Sequence, residues 1–107
     1  MIFLDIIKIK ELCQDETIEV TNHILVRCQQ RNISYSEIKE VIRDGEIIEE
    51  YPEDYPYPSC LILGMTIKSR FLHVVVGIGE RKLWLITAYE PDPGQWEDGF
   101  KKRKERS

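Results

Sequence analysis

The chain has 107 residues, a length that favours one domain with a real core and requires no disulfide or metal staple. Its 42% hydrophobic and 32% charged residues are ordinary for a globular protein and exclude a disordered or low-complexity chain. The net charge of −4 is uneven: Lys101, Lys102, Arg103, Lys104 and Arg106 against Glu105 give the tail +4, which leaves −8 elsewhere and no general field that attracts nucleic acid.

The apolar opening Met1-Ile2-Phe3-Leu4 is soon interrupted by Asp5, Lys8 and Lys10, and it lacks the basic region and cleavage site of a signal peptide. No apolar run approaches the roughly 20 residues of a membrane-spanning helix. The expected location is the cytoplasm, with no membrane partner. Cys13, Cys28 and Cys60 are odd in number, widely spaced and free of any C-x-x-C pair, against a disulfide framework or a zinc knuckle. Each is expected to serve as a small buried apolar residue.

Along the chain, Phe3, Ile6, Ile7 and Cys13 recur at helical spacing, which predicts a helix within residues 2–13, although the isoleucines also suit a strand. Gln14-Asp15-Glu16 is a polar break, and residues 17–20 suit a short extended segment. Thr21 is placed to cap a helix over 22–31. Ser34 and Glu37 have capping-box spacing for the next helix, Ile38, Val41 and Ile42 form its buried stripe, and Gly45 is the expected left-handed stop.

After Gly45 the period changes from helical to alternating. Residues 46–51 predict a strand, and the loop that follows holds Pro52, Pro56 and Pro58, which cannot donate to a sheet. Strands are expected over 59–68, 71–79 and 82–90, joined by tight connections and therefore antiparallel neighbours. Trp96 and Phe100 are placed to anchor the tail before a solvated basic run. The predicted class is α+β, with two or three N-terminal helices packed on a roughly four-stranded antiparallel sheet. One domain is expected over 1–98, with a basic C-terminal tail over 99–107.

Alternation gives the expected faces. Leu72, Val74, Val76 and Ile78 oppose His73, Val75 and Gly77, while Leu61, Leu63, Met65 and Ile67 oppose Cys60, Ile62, Gly64 and Thr66. The purely aliphatic sets are expected to pack on the helices, which turns His73 to the other face. In the last strand, Trp84, Ile86 and Ala88 oppose Leu83, Leu85, Thr87 and Tyr89. Either set suits a core, so whether Tyr89 joins His73 stays open.

His23, Arg27 and Arg31 stand four apart and form one side-chain column on the second helix. Arginine forks bind phosphate, and histidine transfers a proton near neutral pH; a solvent-exposed helix face explains the same spacing. His73 is the only other histidine. Two histidines in one pocket supply the acid and base for RNA cleavage by internal transfer, with Arg27 on the phosphate and Tyr89 and Thr87 hydrogen bonding. Because each half of the chain contributes one histidine, such a site is expected where the second helix meets the open face of the sheet. No histidine, cysteine or acidic residues have diagnostic metal-ligand spacing, and serine-hydrolase and dinucleotide motifs are absent, so no cofactor is expected. The acidic residues Asp44, Glu46, Glu49, Glu50, Glu53 and Asp54 suit a solvated edge or a basic partner.

The segments Thr21-x-His23-x-x-x-Arg27-x-x-x-Arg31-Asn32-Ile33-Ser34, Gly45-Glu46-Ile47-Ile48-Glu49, Pro58-Ser59-Cys60-Leu61-Ile62-Leu63-Gly64, Leu72-His73-Val74-Val75 and Ile86-Thr87-Ala88-Tyr89-Glu90-Pro91-Asp92-Pro93, followed by Trp96, resemble in order the motifs of a widespread prokaryotic domain-of-unknown-function family. That family has been grouped with the barnase–EndoU–colicin–RelE (BECR) superfamily of small metal-independent ribonucleases and toxins. The resemblance implies a RelE-like fold and the toxin half of a toxin–antitoxin pair, with RNA as substrate and a small zinc-finger antitoxin of the YgiT type as partner. By position in these motifs it implies His23, Arg27, His73 and Tyr89 as catalytic residues, with Arg31 and Thr87 binding substrate. The acidic body departs from the surface expected of a free RNA-cleaving toxin. A non-catalytic protein-interaction domain is the alternative expectation.

Overall fold

The computed structural model describes residues 5–105. Helix α1 (Ile6–Glu11), a short strand β1 (Ile18–Glu19) and helices α2 (Asn22–Gln30) and α3 (Tyr35–Asp44) precede strands β2 (Glu46–Tyr51), β3 (Ser59–Met65), β4 (Phe71–Gly79) and β5 (Lys82–Tyr89). The architecture is α+β, with the helices on one face of a five-stranded sheet of order β1-β5-β4-β3-β2. The four strands of the second half are antiparallel neighbours; the extended segment before α2 adds a fifth, parallel to β5. The sheet is therefore mixed and one strand larger than expected.

The local signals act as their chemistry dictates. Asp5 caps α1 by accepting from the Ile7 amide, and residues 2–4 of the expected first helix lie outside the described residues. Thr21 caps α2 by accepting from the Ile24 amide at 3.2 Å. Ser34 and Glu37 complete the capping box of α3, whose Ile38, Val41 and Ile42 are fully buried. Glu80 and Arg81, both at positive φ, make the two-residue turn between β4 and β5. Gly45 does not play its expected part. It is extended, with φ −85° and ψ −176°. Glycine is needed there for proximity, since a Cβ would stand 2.4 Å from the Val41 carbonyl oxygen and 2.6 Å from that of Leu63.

Side-chain alternation sorts β4 as expected but reverses β3. Cys60 and Ile62 join Leu72, Val74 and Val76 in the core under the helices, and Gly64 sits where a Cβ would lie 3.0 Å from the Val41 Cα. Leu61 and Leu63, paired with Val75 and His73, face the other side. The small residues, not the purely aliphatic set, meet α3, because the helix approaches the strand closely. In β5 neither alternating set is the core. A bulge between Leu85 and Thr87 resets the pattern, so Leu83, Leu85 and Ala88 turn inward while Trp84 and Tyr89 turn to the helix-free face.

Arg70, just before β4, fastens the α2–α3 turn to the sheet. Its guanidinium donates to the carbonyls of Arg31 at 3.0 Å and Asn32 at 2.6 Å, and pairs with Glu37 and Glu90. No helix among the described residues is long and apolar enough to cross a membrane.

Candidate functional site on the helix-free face

The face of the sheet away from the helices is covered at one end by the C-terminal segment. Gln95 and Trp96 turn on the Asp92 carbonyl, Trp96 pairs with Arg103, and the Glu97 amide donates to the Lys102 carbonyl at 2.8 Å, with Gly99 and Phe100 at positive φ between them. Trp96 is buried, and the Phe100 ring lies 5.3 Å from that of Phe71. The run expected to be solvated thus has its backbone fixed as far as Lys104, although the side chains of 101–105 are exposed.

Beneath this segment lies a polar cluster. His73, with no exposed surface, is paired across the sheet with Tyr89 and packs edge-on against Trp96, the ring centroids 4.4 Å apart. Its Nε2 is 2.9 Å from the Phe100 carbonyl. A carbonyl only accepts, so Nε2 carries the proton and Nδ1 is the acceptor for the Tyr89 hydroxyl at 3.4 Å. On β2, Glu49 accepts a two-pronged pair from Arg103, at 2.8 and 3.0 Å, and a bond from the Tyr51 hydroxyl. Arg103 also lies over the Trp96 ring, 4.7 Å from its centroid.

The electrostatics follow from these contacts. Burial depresses the basicity of His73, partly offset by the Phe100 carbonyl and Glu49. Arg103 holds the Glu49 carboxyl below the usual carboxylate range. Burial and the bond to Glu49 push the Tyr51 hydroxyl up to about 12, and burial raises that of Tyr89. The three cysteines are buried and burial raises each thiol, Cys60 to about 12, so none is an activated nucleophile. Among the described residues, no three His, Cys, Asp or Glu side chains form a set able to hold a metal.

A pH dependence follows. With the folded-state value of His73 depressed, the unfolded chain takes up the proton first as pH falls through about 6.5. Stability is therefore fully present above that pH and is lost on the way down to the folded-state value, at a slope of up to about 1.4 kcal/mol per pH unit. Urea midpoints measured from pH 7.5 to 5 should fall in the wild type, and this part of the decline should flatten in His73→Gln.

The residues singled out by sequence divide between two places. His73 and Tyr89 meet in the cluster. His23 and Arg27 are exposed on α2, which lies across the sheet from His73, as the burial of Cys28 with Leu72, Val74 and Val76 requires. The two histidines thus stand on opposite sides of the sheet, and α2 does not meet the helix-free face where a shared site was expected. Arg31 instead reaches over the outer edge of β5, donating to Thr87 Oγ1 at 3.1 Å and to the Ala88 carbonyl at 2.8 Å.

Glu49, Tyr51 and Arg103 are the members that sequence reasoning missed. Simple alternation places Glu49 with the inward Ile47, but a bulge between them re-aims it. The adjacent isoleucines Ile47-Ile48 were the one available signal of that break. Arg103 joins through a chain reversal that leaves no local pattern.

The fold and this face define a small α+β domain whose helix-free surface gathers a histidine, a glutamate, an arginine and two tyrosines. Residues 20–90, from the approach to α2 through the end of β5, match the family described as Domain of unknown function (DUF4258), and the chain belongs to that family. Trp96, Phe100 and Arg103 lie beyond the matched segment. No curated protein and no solved structure matches the chain.

Proposed function

We propose that the domain is the toxin of a toxin–antitoxin pair and cleaves RNA without metal, using the cluster on the helix-free face. The observation that carries this reading is the convergence of His73, Glu49 and Arg103 with Tyr51 and Tyr89. Internal transfer needs a base, an acid and a cation, and this set contains one of each. Glu49 takes the proton of the 2′-hydroxyl as its oxygen bonds to phosphorus. His73, which regains its basicity and takes up a proton once the covering segment lifts and water reaches the ring, gives that proton to the 5′-oxygen as the P–O5′ bond breaks, leaving a 2′,3′-cyclic phosphate and a free 5′-hydroxyl. Arg103 turns from Glu49 to the phosphate, which restores the basicity of Glu49, and the tyrosines hydrogen-bond the remaining oxygens.

This reading requires the 96–104 segment to lift, because the Phe100 carbonyl occupies His73 Nε2 and Arg103 is held by Glu49. It changes the roles expected from sequence. Glu49 takes the place of His23 in the acid–base pair with His73 and Arg103 replaces Arg27 on the phosphate, while His23 and Arg27 form a separate exposed pair for RNA or partner. Membership of the BECR superfamily and a zinc-finger antitoxin of the YgiT type belong to the same proposal; a neighbouring reading frame with two C-x-x-C pairs would support the pairing.

The test is cleavage of single-stranded RNA in the presence of a chelator, with analysis of product ends. Glu49→Gln should lower the rate about 100-fold or more, although it also loosens the covering segment. If loosening alone mattered, the variant would cleave faster. Inert wild-type protein that is also harmless to cells would remove the proposal. The complete burial of His73, with both ring nitrogens bonded, favours a second reading: a non-catalytic interaction domain in which His73 only pins the tail. It predicts partner binding that survives His23→Ala and Glu49→Gln.

A further inference from the structure

The helix-free face has a second, open end, about 13 Å along β4 from His73 at roughly 3.3 Å per residue. There the β2–β3 loop folds over the sheet and leaves a groove of about 450 Å³ lined by Tyr55, Tyr57, Trp84, Ile86, Gly77 and Asp54. Tyr57 stacks on Trp84 with ring centroids 5.3 Å apart and closes over Gly79, where a Cβ would stand 2.0 Å from its ring. Trp84 is fixed by its indole N–H, which donates to the Gly79 carbonyl at 3.0 Å. Tyr55 is 91% exposed and Ile86 40% exposed, so the groove presents apolar surface to solvent. Gly77 keeps its floor low.

Carboxylates surround these rings. Asp54 is oriented into the groove by Ser59, whose hydroxyl donates to it at 2.6 Å, and by the Tyr55 amide at 3.1 Å. Glu53 is its neighbour in the loop, and at the other end Glu80 lies close enough to the Tyr57 hydroxyl to hold it above its ordinary value. Among the described residues, none of these three carboxylates has a cation within 4.0 Å, whereas Glu19, Glu37, Glu46, Glu49 and Glu90 are all paired.

We propose that this groove docks a lysine- or arginine-bearing segment of a partner protein. Aromatic faces attract cations, and unpaired carboxylates at both ends supply matching charge while the stems of Lys and Arg cover the exposed rings. The same charges repel phosphate, which argues against a nucleobase-stacking site despite the aromatic lining. The groove does not involve the His73 cluster, so this inference stands whether or not the domain is catalytic.

The test is titration of the full chain with an acetylated peptide of alternating glycine and arginine or lysine, followed by tryptophan fluorescence and calorimetry. The glutamate analogue, a uridine oligonucleotide and the protein alone at rising concentration serve as the other arms. Saturable binding of the basic peptide is expected, weakened at least tenfold by Tyr55→Ser and by the pair Asp54→Asn and Glu80→Gln. Gly77→Ala, whose added methyl would meet its neighbours at ordinary contact distances of 3.5–3.7 Å, should also weaken it with the fold intact. Peptide binding unchanged in these variants would overturn the proposal. So would oligonucleotide binding lost in Tyr55→Ser, which would assign the groove to RNA, or self-association lost in the same variant, which would assign it to a second copy of the chain.

Discussion

Replacing His73 with alanine should cost the domain about 3–4 kcal/mol of stability and release its C-terminal segment. The ring is fully buried between Tyr89 and Trp96, and it donates to a carbonyl of the segment that covers it. Its removal opens a cavity beneath Trp96 and strands the Tyr89 hydroxyl and the Phe100 carbonyl together. The segment relieves that cost by lifting into water, where both groups are solvated. Urea unfolding measures the loss. Trypsin cleavage after Lys101, Lys102, Arg103 and Lys104, expected to be slow in the wild type and fast in His73→Ala, measures the release. A cost below about 1 kcal/mol with unchanged protection would mean that Trp96 and Arg103 hold the segment unaided. Because this variant disturbs the fold, Glu49→Gln is the cleaner probe of chemistry: its carboxylate is part-exposed and its loss leaves no cavity.

The same cluster shows how far the sequence carries. The N-terminal caps of α2 and α3 were legible because capping is local: Thr21, Ser34 and Glu37 act within three residues of themselves, whereas Asp5 was not picked out as the cap of α1 and Gly45 is not the left-handed stop expected. The four strands of the second half were legible from alternation and from the prolines that bound them, whereas β1 was legible only as an extended segment and not as a member of the sheet. What alternation cannot convey is its own interruption. The bulge between Ile47 and Glu49 turns a carboxylate from the core side to the His73 side, and that between Leu85 and Thr87 leaves both alternating sets of β5 part core and part surface. Leu61 and Leu63 look like helix-facing residues until the close approach of α3 is known, for which Gly64 is the trace in sequence. His73 and Tyr89, both singled out from sequence, are neighbours across the sheet, but their surroundings come from residues 96–103 folding back across some 30 positions of chain. The His23–Arg27 column was read correctly as one helix face. Which side of the sheet that face occupies is a tertiary fact.

Arg70→Ala should destabilise the domain by about 3 kcal/mol, although Arg70 lies outside both the cluster and the groove. Its guanidinium satisfies the carbonyls of Arg31 and Asn32, which the end of α2 leaves without helical partners, and it neutralises Glu37, whose side chain is 8% exposed. Burial alone would push the Glu37 carboxyl up. The backbone and hydroxyl of Ser34, together with Arg70, outweigh burial and hold it below its ordinary value. A group so depressed stabilises the fold above its unfolded value, and that contribution is lost as pH falls through the folded one. The cost of Arg70→Ala should therefore be largest near neutral pH and shrink as pH falls through the depressed folded-state value of Glu37, where the carboxyl is protonated and needs no cation. Glu37→Gln in the Arg70→Ala background should cost less than in the wild type, with a coupling of about 1–2 kcal/mol from urea midpoints of the four proteins. Additivity at neutral pH would show that Arg70 acts through the two carbonyls alone. In either case the α2–α3 turn is tied to the sheet through this side chain. The position of Arg31 over the edge of β5, and with it the outward face that carries His23 and Arg27, depends on that tie.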